Sequence, residues 1–121
     1  MNGIILIAHG SKKELSNNEF KELVNEIKDE DRHFKEVDAA FLEFAKPSID
    51  MVVKKQIEKN ITKIYFYPYF LNSGKHVSTD LPNIINDLKS IHTTMDFTLL
   101  DHFGRSNKIS DIILEDIKDI K

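Results

Sequence analysis

The sequence predicts an α/β fold: a single three-layer domain over residues 1–121, in which a four-stranded, mainly parallel sheet carries helices on both faces. Three observations predict it. Short apolar or β-branched runs alternate with longer stretches of three-and-four apolar spacing along the whole chain. Strands separated by helix-length connections pair in parallel, because a parallel pair cannot be closed by a tight turn. A length of 121 residues with 40% hydrophobic content matches one domain with one sizeable core. No repeat, linker or low-complexity segment interrupts the alternation.

The first strand is residues 4–8, an unbroken apolar run of the kind buried on both faces, which places it centrally in the sheet. Phe20, Leu23, Val24 and Ile27 then repeat at helical spacing, and Ser16 or Asn17 can cap the exposed amides. Residues 34–42 read as the second strand, with Val37, Ala39 and Phe41 alternating against polar or small neighbours. Pro47 suits the first turn of the next helix, Ile49, Val52, Val53 and Ile57 form its buried face, and Asn60 suits its C-terminal end. Residues 63–67 are rich in β-branched and aromatic side chains and are stopped by Pro68, which gives a third strand. After a loop over residues 69–78, a helix begins near Thr79, with Ser78 or Thr79 as its cap and Pro82 confined to its first turn. Its apolar face is Leu81, Ile84, Ile85, Leu88 and Ile91. Residues 96–100 form the fourth strand, and Ile109, Ile112, Ile113, Ile117 and Ile120 line a last helix.

Composition excludes several functions. A net charge of -3 with 31% charged residues describes neither a basic nucleic-acid binder nor an extended acidic chain. The absence of Cys removes disulfides, thiolate metal sites and Cys nucleophiles, which leaves imidazole, carboxylate and water as metal ligands. The opening apolar residues are few and lack a basic leader or cleavage pattern. No apolar run approaches the roughly 20 residues that a membrane helix needs. A cytoplasmic location, with neither nucleic acid nor membrane as partner, is the expectation.

In open α/β sheets ligands collect at the carboxyl ends of the strands. There the sequence places His9-Gly10-Ser11-Lys12 after the first strand and Glu43 after the second. Phe70-Leu71-Asn72-Ser73-Gly74-Lys75-His76 follows the third, and Asp101-His102-Phe103-Gly104-Arg105 the fourth. His9, His76 and Glu43 thus share one edge, and neutral imidazole with carboxylate suits borderline divalent metals in an open three-ligand site. Taken singly, each also has a plain structural reading, as a hydrogen-bonded His or a solvated carboxylate. No HExxH, phosphate-loop or dinucleotide-binding glycine pattern is present.

Three segments carry a more specific signal: residues 8–12 (AHGSK), 41–49 (FLEFAKPSI) and 68–82 (PYFLNSGKHVSTDLP). They resemble the signature segments of the CbiX-type small sirohydrochlorin chelatases of the class II chelatase superfamily. The resemblance implies a chelatase-like fold and a lyase that inserts a divalent metal into sirohydrochlorin during tetrapyrrole biosynthesis. Co²⁺ is favoured by the family name, pointing to cobalamin, with Fe²⁺ for siroheme and Ni²⁺ as alternatives. The metal is then a substrate, and no cofactor is permanently bound. By motif, His9 and His76 are the catalytic and metal-handling histidines and Glu43 is the accompanying metal carboxylate. Related class II chelatases carry two such halves in one chain, so the resemblance also implies a homodimer. One departure is visible: the family continues after its fourth strand with a Gly-x-x-Pro-like turn, whereas Gly104-Arg105-Ser106-Asn107 has no Pro. Substrate contacts from that loop are therefore not carried over.

A macrocycle rich in carboxylates calls for cations and amide donors. Lys12, Lys13, Lys75 and Arg105 lie near the edge, and the backbone amides of Gly10-Ser11 and Ser73-Gly74 add donors. Tyr69, Phe70 and Leu71 face either the macrocycle or the core. The substrate-binding set is accordingly Gly10, Ser11, Lys12, Phe70, Leu71, Ser73, Gly74 and Lys75. His33 and His92 read as structural or solvated, and His102 carries no matching motif. Two rival readings remain: a hydrolase using His9 with Ser11, and a non-catalytic metal or tetrapyrrole carrier. Turnover beyond one equivalent separates enzyme from carrier.

Overall fold

The computed structural model describes residues 1–120. Its elements follow in the order β1 (Asn2–Ala8), α1 (Glu14–Glu30), β2 (Glu36–Phe41), α2 (Ile49–Glu58), β3 (Lys63–Pro68), α3 (Leu81–Ile91), β4 (Asp96–Leu99) and α4 (Ile109–Ile117). A π-helical turn, His76–Asp80, runs directly into α3, and a 3₁₀ turn, Phe103–Arg105, separates β4 from α4. The strand order is β2-β1-β3-β4, and every pairing is parallel. The uninterrupted apolar run of β1 is what lets it sit between two strands with both faces covered.

Side chains alternate across each strand and sort the core into two layers. Ile5, Ile7, Ile64, Phe66 and Phe97 join α2 and α3 on one face. Leu6, Val37 and Phe41 join Phe20 and Val24 of α1 on the other.

Local differences from the sequence-based expectations have identifiable causes. Helix α1 starts at Glu14, so Ser16 and Asn17 lie inside it and no side chain caps it. Asn17 instead clamps the preceding loop: its carbonyl accepts from the Ser11 N–H at 2.9 Å and its amide donates to the Ser11 carbonyl at 2.8 Å. Pro47 precedes α2; its carbonyl accepts from the Phe41 N–H at 2.9 Å, and Ser48 is the N-cap, accepting from the Met51 N–H. Asn60, just past α2, adopts a φ of 67°, the left-handed stop that Asn tolerates. Neither Ser78 nor Thr79 caps α3, because the π-helical turn brings the chain in already helical, with the Leu81 N–H on the His76 carbonyl.

Helix α4 forms at the expected spacing, ends at Ile117, and buries none of its residues. Ile112, Ile113, Leu114 and Ile117 are 48–60% exposed, and α4 makes no substantial contact with another element among the described residues. Apolar spacing specifies the helix; it does not specify what the helix packs against. Among the described residues, no helix is long and apolar enough to cross a membrane.

Candidate active site

The carboxyl ends of β1, β2 and β3 are tied by backbone bonds that continue the sheet past its strands. The Leu42 N–H donates to the Ala8 carbonyl and the Glu43 N–H to the His9 carbonyl, both at 2.9 Å, and the Tyr69 N–H donates to the Ile7 carbonyl at 2.7 Å. Gly10 makes the first of these turns possible. Its φ is +95°, and a Cβ there would overlap the Glu43 carbonyl, so only glycine allows the two loops to close on each other.

This framework brings His9, Glu43 and His76 together. His9 Nε2 lies 3.2 Å from Glu43 Oε2, and the His9 and His76 rings are 4.6 Å apart between centroids, tilted by 48°. Although the two atoms lie close, they form no hydrogen bond, and His9 Nε2 is a buried nitrogen with no hydrogen-bond partner. A shielded, unsatisfied polar atom is uncommon outside functional sites. Phe44 closes one side, 5.8 Å edge-on from the His9 ring, and Lys12 Nζ stands 5.4 Å from the Phe44 centroid.

His76 has a fixed partner that sequence reasoning did not single out. Its Nδ1 is 2.8 Å from Asp80 Oδ2, across the π-helical turn. A neutral ring that donates Nδ1–H to a carboxylate keeps its lone pair on Nε2, the arrangement that orients a metal-binding or proton-accepting imidazole. The visible signal was the four-residue spacing in His76-Val77-Ser78-Thr79-Asp80.

Among the described residues, no three His, Asp or Glu side chains form a ready-made metal cage; the trio stands as two contacts that share His9. Among the described residues no hydrogen bond joins Ser11 to His9, as the hydrolase reading requires: the Ser11 hydroxyl accepts from the Lys13 N–H at 3.0 Å, the Ser11 backbone is held by Asn17, and His9 Nε2 has no partner.

The substrate-binding candidates divide. Ser11 and Lys12 line a cavity of about 280 Å³ with Lys21, Phe44 and Lys46. Lys21 and Lys46 add charge that the sequence did not flag, although Lys21 lies one turn beyond Asn17 on the same helix face. Phe70 resolves toward the core: it is half-buried, packs on the α2/α3 layer, and also lines a cavity of about 250 Å³ beside His76. Leu71 is 69% exposed. Ser73, Gly74 and Lys75 form an exposed loop whose Gly74 carbonyl accepts from the Val77 and Ser78 amides, which starts the turn that presents His76. His102 is buried, His33 pairs with Asp31, and His92 ends α3 against Phe97.

The CbiX family model matches residues 3–120. The sirohydrochlorin cobaltochelatase of Sulfolobus acidocaldarius is 32% identical over 116 residues, covering 95% of this chain and 89% of that protein. A CbiX protein from Marinobacter aquaeolei VT8, described under cobalamin biosynthesis, superposes with a TM-score of 0.86 at 25% identity, over 98% of this chain and 95% of that one. The sirohydrochlorin chelatase SirB of Bacillus subtilis subspecies spizizenii, solved in complex with cobalt, gives a TM-score of 0.86 at 21% identity. It is covered over only 50% of its length, with 98% of this chain matched, so the present fold corresponds to half of that one. With nearly its full length matched by the family model and by a relative of equal extent, the chain belongs to the CbiX family.

Proposed function

We propose that this protein inserts a divalent metal, Co²⁺ before Fe²⁺ or Ni²⁺, into sirohydrochlorin, acting as a cytoplasmic chelatase of tetrapyrrole biosynthesis. The observation that carries the proposal is the unpartnered His9 Nε2, set between the Glu43 carboxylate and the His76 ring at the open edge of the sheet. The name of the 32%-identical relative supports the substrate and favours cobalt.

Insertion breaks two pyrrole N–H bonds, forms four metal–nitrogen bonds, and sends two protons to a base. One imidazole lone pair cannot hold the ion and accept a proton at once. Two histidines and a carboxylate divide that work. His76, oriented by Asp80, and His9 present the ion to the ring; Glu43, 48% exposed, accepts the released protons and passes them to water. Lys12, Lys21 and Lys46 neutralise peripheral carboxylates, and their surface position limits how tightly product is held. That the fold corresponds to half of the SirB chain supports a working unit of two copies.

Anaerobic visible spectroscopy of sirohydrochlorin with Co²⁺, Fe²⁺ or Ni²⁺ tests this, using native protein, His76→Ala and a protein-free control. Many turnovers per native chain, reduced about 100-fold or more in His76→Ala after subtraction of the spontaneous rate, are expected. Conversion that stops at one equivalent identifies a carrier instead.

A further inference from the structure

We propose that Phe44 positions the macrocycle: its phenyl ring bears on the tetrapyrrole, so that one peripheral carboxylate falls among Lys12, Lys21 and Lys46 while the ring centre faces His9 and His76. The inference deepens the chelatase reading above and rests on it.

Backbone bonding forces Phe44 outward. On one side the Glu43 N–H donates to the His9 carbonyl at 2.9 Å, and the Glu43 carbonyl sits against Gly10, where a Cβ would overlap it. On the other side Ala45 packs into the α1 layer. The Ala45 N–H closes back on the Glu43 carbonyl at 2.8 Å, a three-residue turn with Phe44 at its apex and a φ of 63°. Three-residue turns with a positive central φ are rare and strained, and a bulky side chain is disfavoured in the left-handed region. At the adjoining turn the chain uses glycine for its positive φ; here it keeps a phenylalanine.

The side chain gains little from the core in return. Phe44 is 57% exposed, whereas Phe41, three residues earlier, is fully buried. Strain without burial points to a constraint of function and not of folding.

What Phe44 touches defines that function. Its ring meets the His9 ring at 5.8 Å and 69°, in the site of the unpartnered Nε2, and Lys12 Nζ stands 5.4 Å over it. It also lines the cavity of about 280 Å³ that holds Lys12, Lys21 and Lys46. Phe44 therefore borders the metal-handling edge and the cationic cavity at once. A flat conjugated ring with carboxylates at its periphery offers the matching pair of surfaces, an apolar one for the phenyl and anions for the ammonium groups. Flexible, solvated lysines alone fix no distance between a carboxylate and the ring centre. An aromatic ring on a bonded turn does.

Metal-free sirohydrochlorin is titrated anaerobically into native protein, Phe44→Gly and Phe44→Tyr, with the bound visible spectrum as readout, and Co²⁺ alone is titrated into the same proteins. Glycine relieves the strain of the turn and removes the ring, whereas tyrosine keeps the ring. The sirohydrochlorin Kd is expected to rise about 10-fold in Phe44→Gly and to stay within about twofold of native in Phe44→Tyr. The Co²⁺ Kd stays within about twofold throughout, and the thermal midpoint of Phe44→Gly is no lower than native. Lys46→Gln weakens sirohydrochlorin binding less in the Phe44→Gly background than in the native one; additive losses overturn the positioning role. Equal sirohydrochlorin affinity in native protein and Phe44→Gly overturns the inference and leaves the chelatase reading intact. A lowered midpoint together with lost Co²⁺ binding assigns Phe44 to holding the loop and overturns the inference as well. Native protein that binds no sirohydrochlorin overturns both.

Discussion

The two faces of the sheet fold by different rules. On one, α2 and α3 close over seven buried side chains from the four strands and, at Ile61, the turn before β3; on the other, α1 closes over three. The same strands feed both layers, so the difference lies in what the chain supplies to cover them. The sealed layer holds the larger share of the buried core. The open layer leaves apolar surface uncovered, while both converge on the edge where His9 and His76 meet.

The sharpest way to break this contrast is to make equivalent deletions in the two layers. Phe66 is fully buried in the sealed layer, and Phe66→Ala is expected to cost about 3–5 kcal/mol in urea unfolding. Leu23, half-buried and lining an apolar groove of about 380 Å³ beside α1, contributes less packing, and Leu23→Ala is expected to cost about 1 kcal/mol. Equal losses would mean that the open layer is closed in solution by something within the chain. In that case Leu23→Ala loses stability even at the lowest concentration.

How much of this was legible in the sequence follows the same division. Elements that bury a continuous or periodic apolar face against their own chain were recoverable: the unbroken run in β1, the Ile49–Ile57 face of α2 and the Leu81–Leu88 face of α3 all pack as their spacing predicts. The histidine pair was legible because strand ends gather on one edge and the flanking segments resemble a known family. Three features were not. The π-helical turn at His76 depends on backbone bonding that no periodicity encodes, and with it went the Asp80 contact. Asn17 looked like a cap because caps and loop clamps use the same side-chain chemistry. The exposure of the α4 isoleucines was not legible because periodicity records that a face is apolar, without recording whether anything covers it.

The Asp80 contact gives the next prediction, of intermediate size. His76 enters the site from the turn leading into α3, on the sealed side, so its orientation depends on Asp80 and not on the groove. Asp80→Ala is expected to lower turnover about 10- to 100-fold while leaving the unfolding midpoint within error. Asp80→Asn, which retains an oxygen acceptor, recovers part of the rate. Nitrogen-15 chemical shifts of His76 supply the decisive readout: a single Nδ1–H tautomer in native protein, and a mixture in Asp80→Ala. If turnover falls while the tautomer is unchanged, Asp80 acts on something other than the ring.

The smallest effect lies at the rim of the open layer, where Asp31 lines the groove between α1 and β2. Its carboxylate accepts from the Phe34 N–H at 2.9 Å and the His33 N–H at 3.1 Å. The Phe34 bond, chiefly, holds its pKa below the ordinary carboxylate value, against a smaller opposing effect of burial. A carboxyl whose folded pKa is depressed stabilises the fold when ionised. That contribution is complete above the unfolded value, about 3.9, and disappears as pH falls through the folded one. The difference in unfolding free energy between native protein and Asp31→Asn is therefore expected to be constant near neutrality and to shrink in acid. Asp31→Asn keeps an oxygen that can accept from both amides, so the change is small beside that of Phe66→Ala. A difference that stays constant down to the acid limit would show that the two amide bonds hold the α1–β2 turn equally well with a neutral acceptor. The rim would then owe its shape to Phe34, packed into the α1 layer, and not to charge.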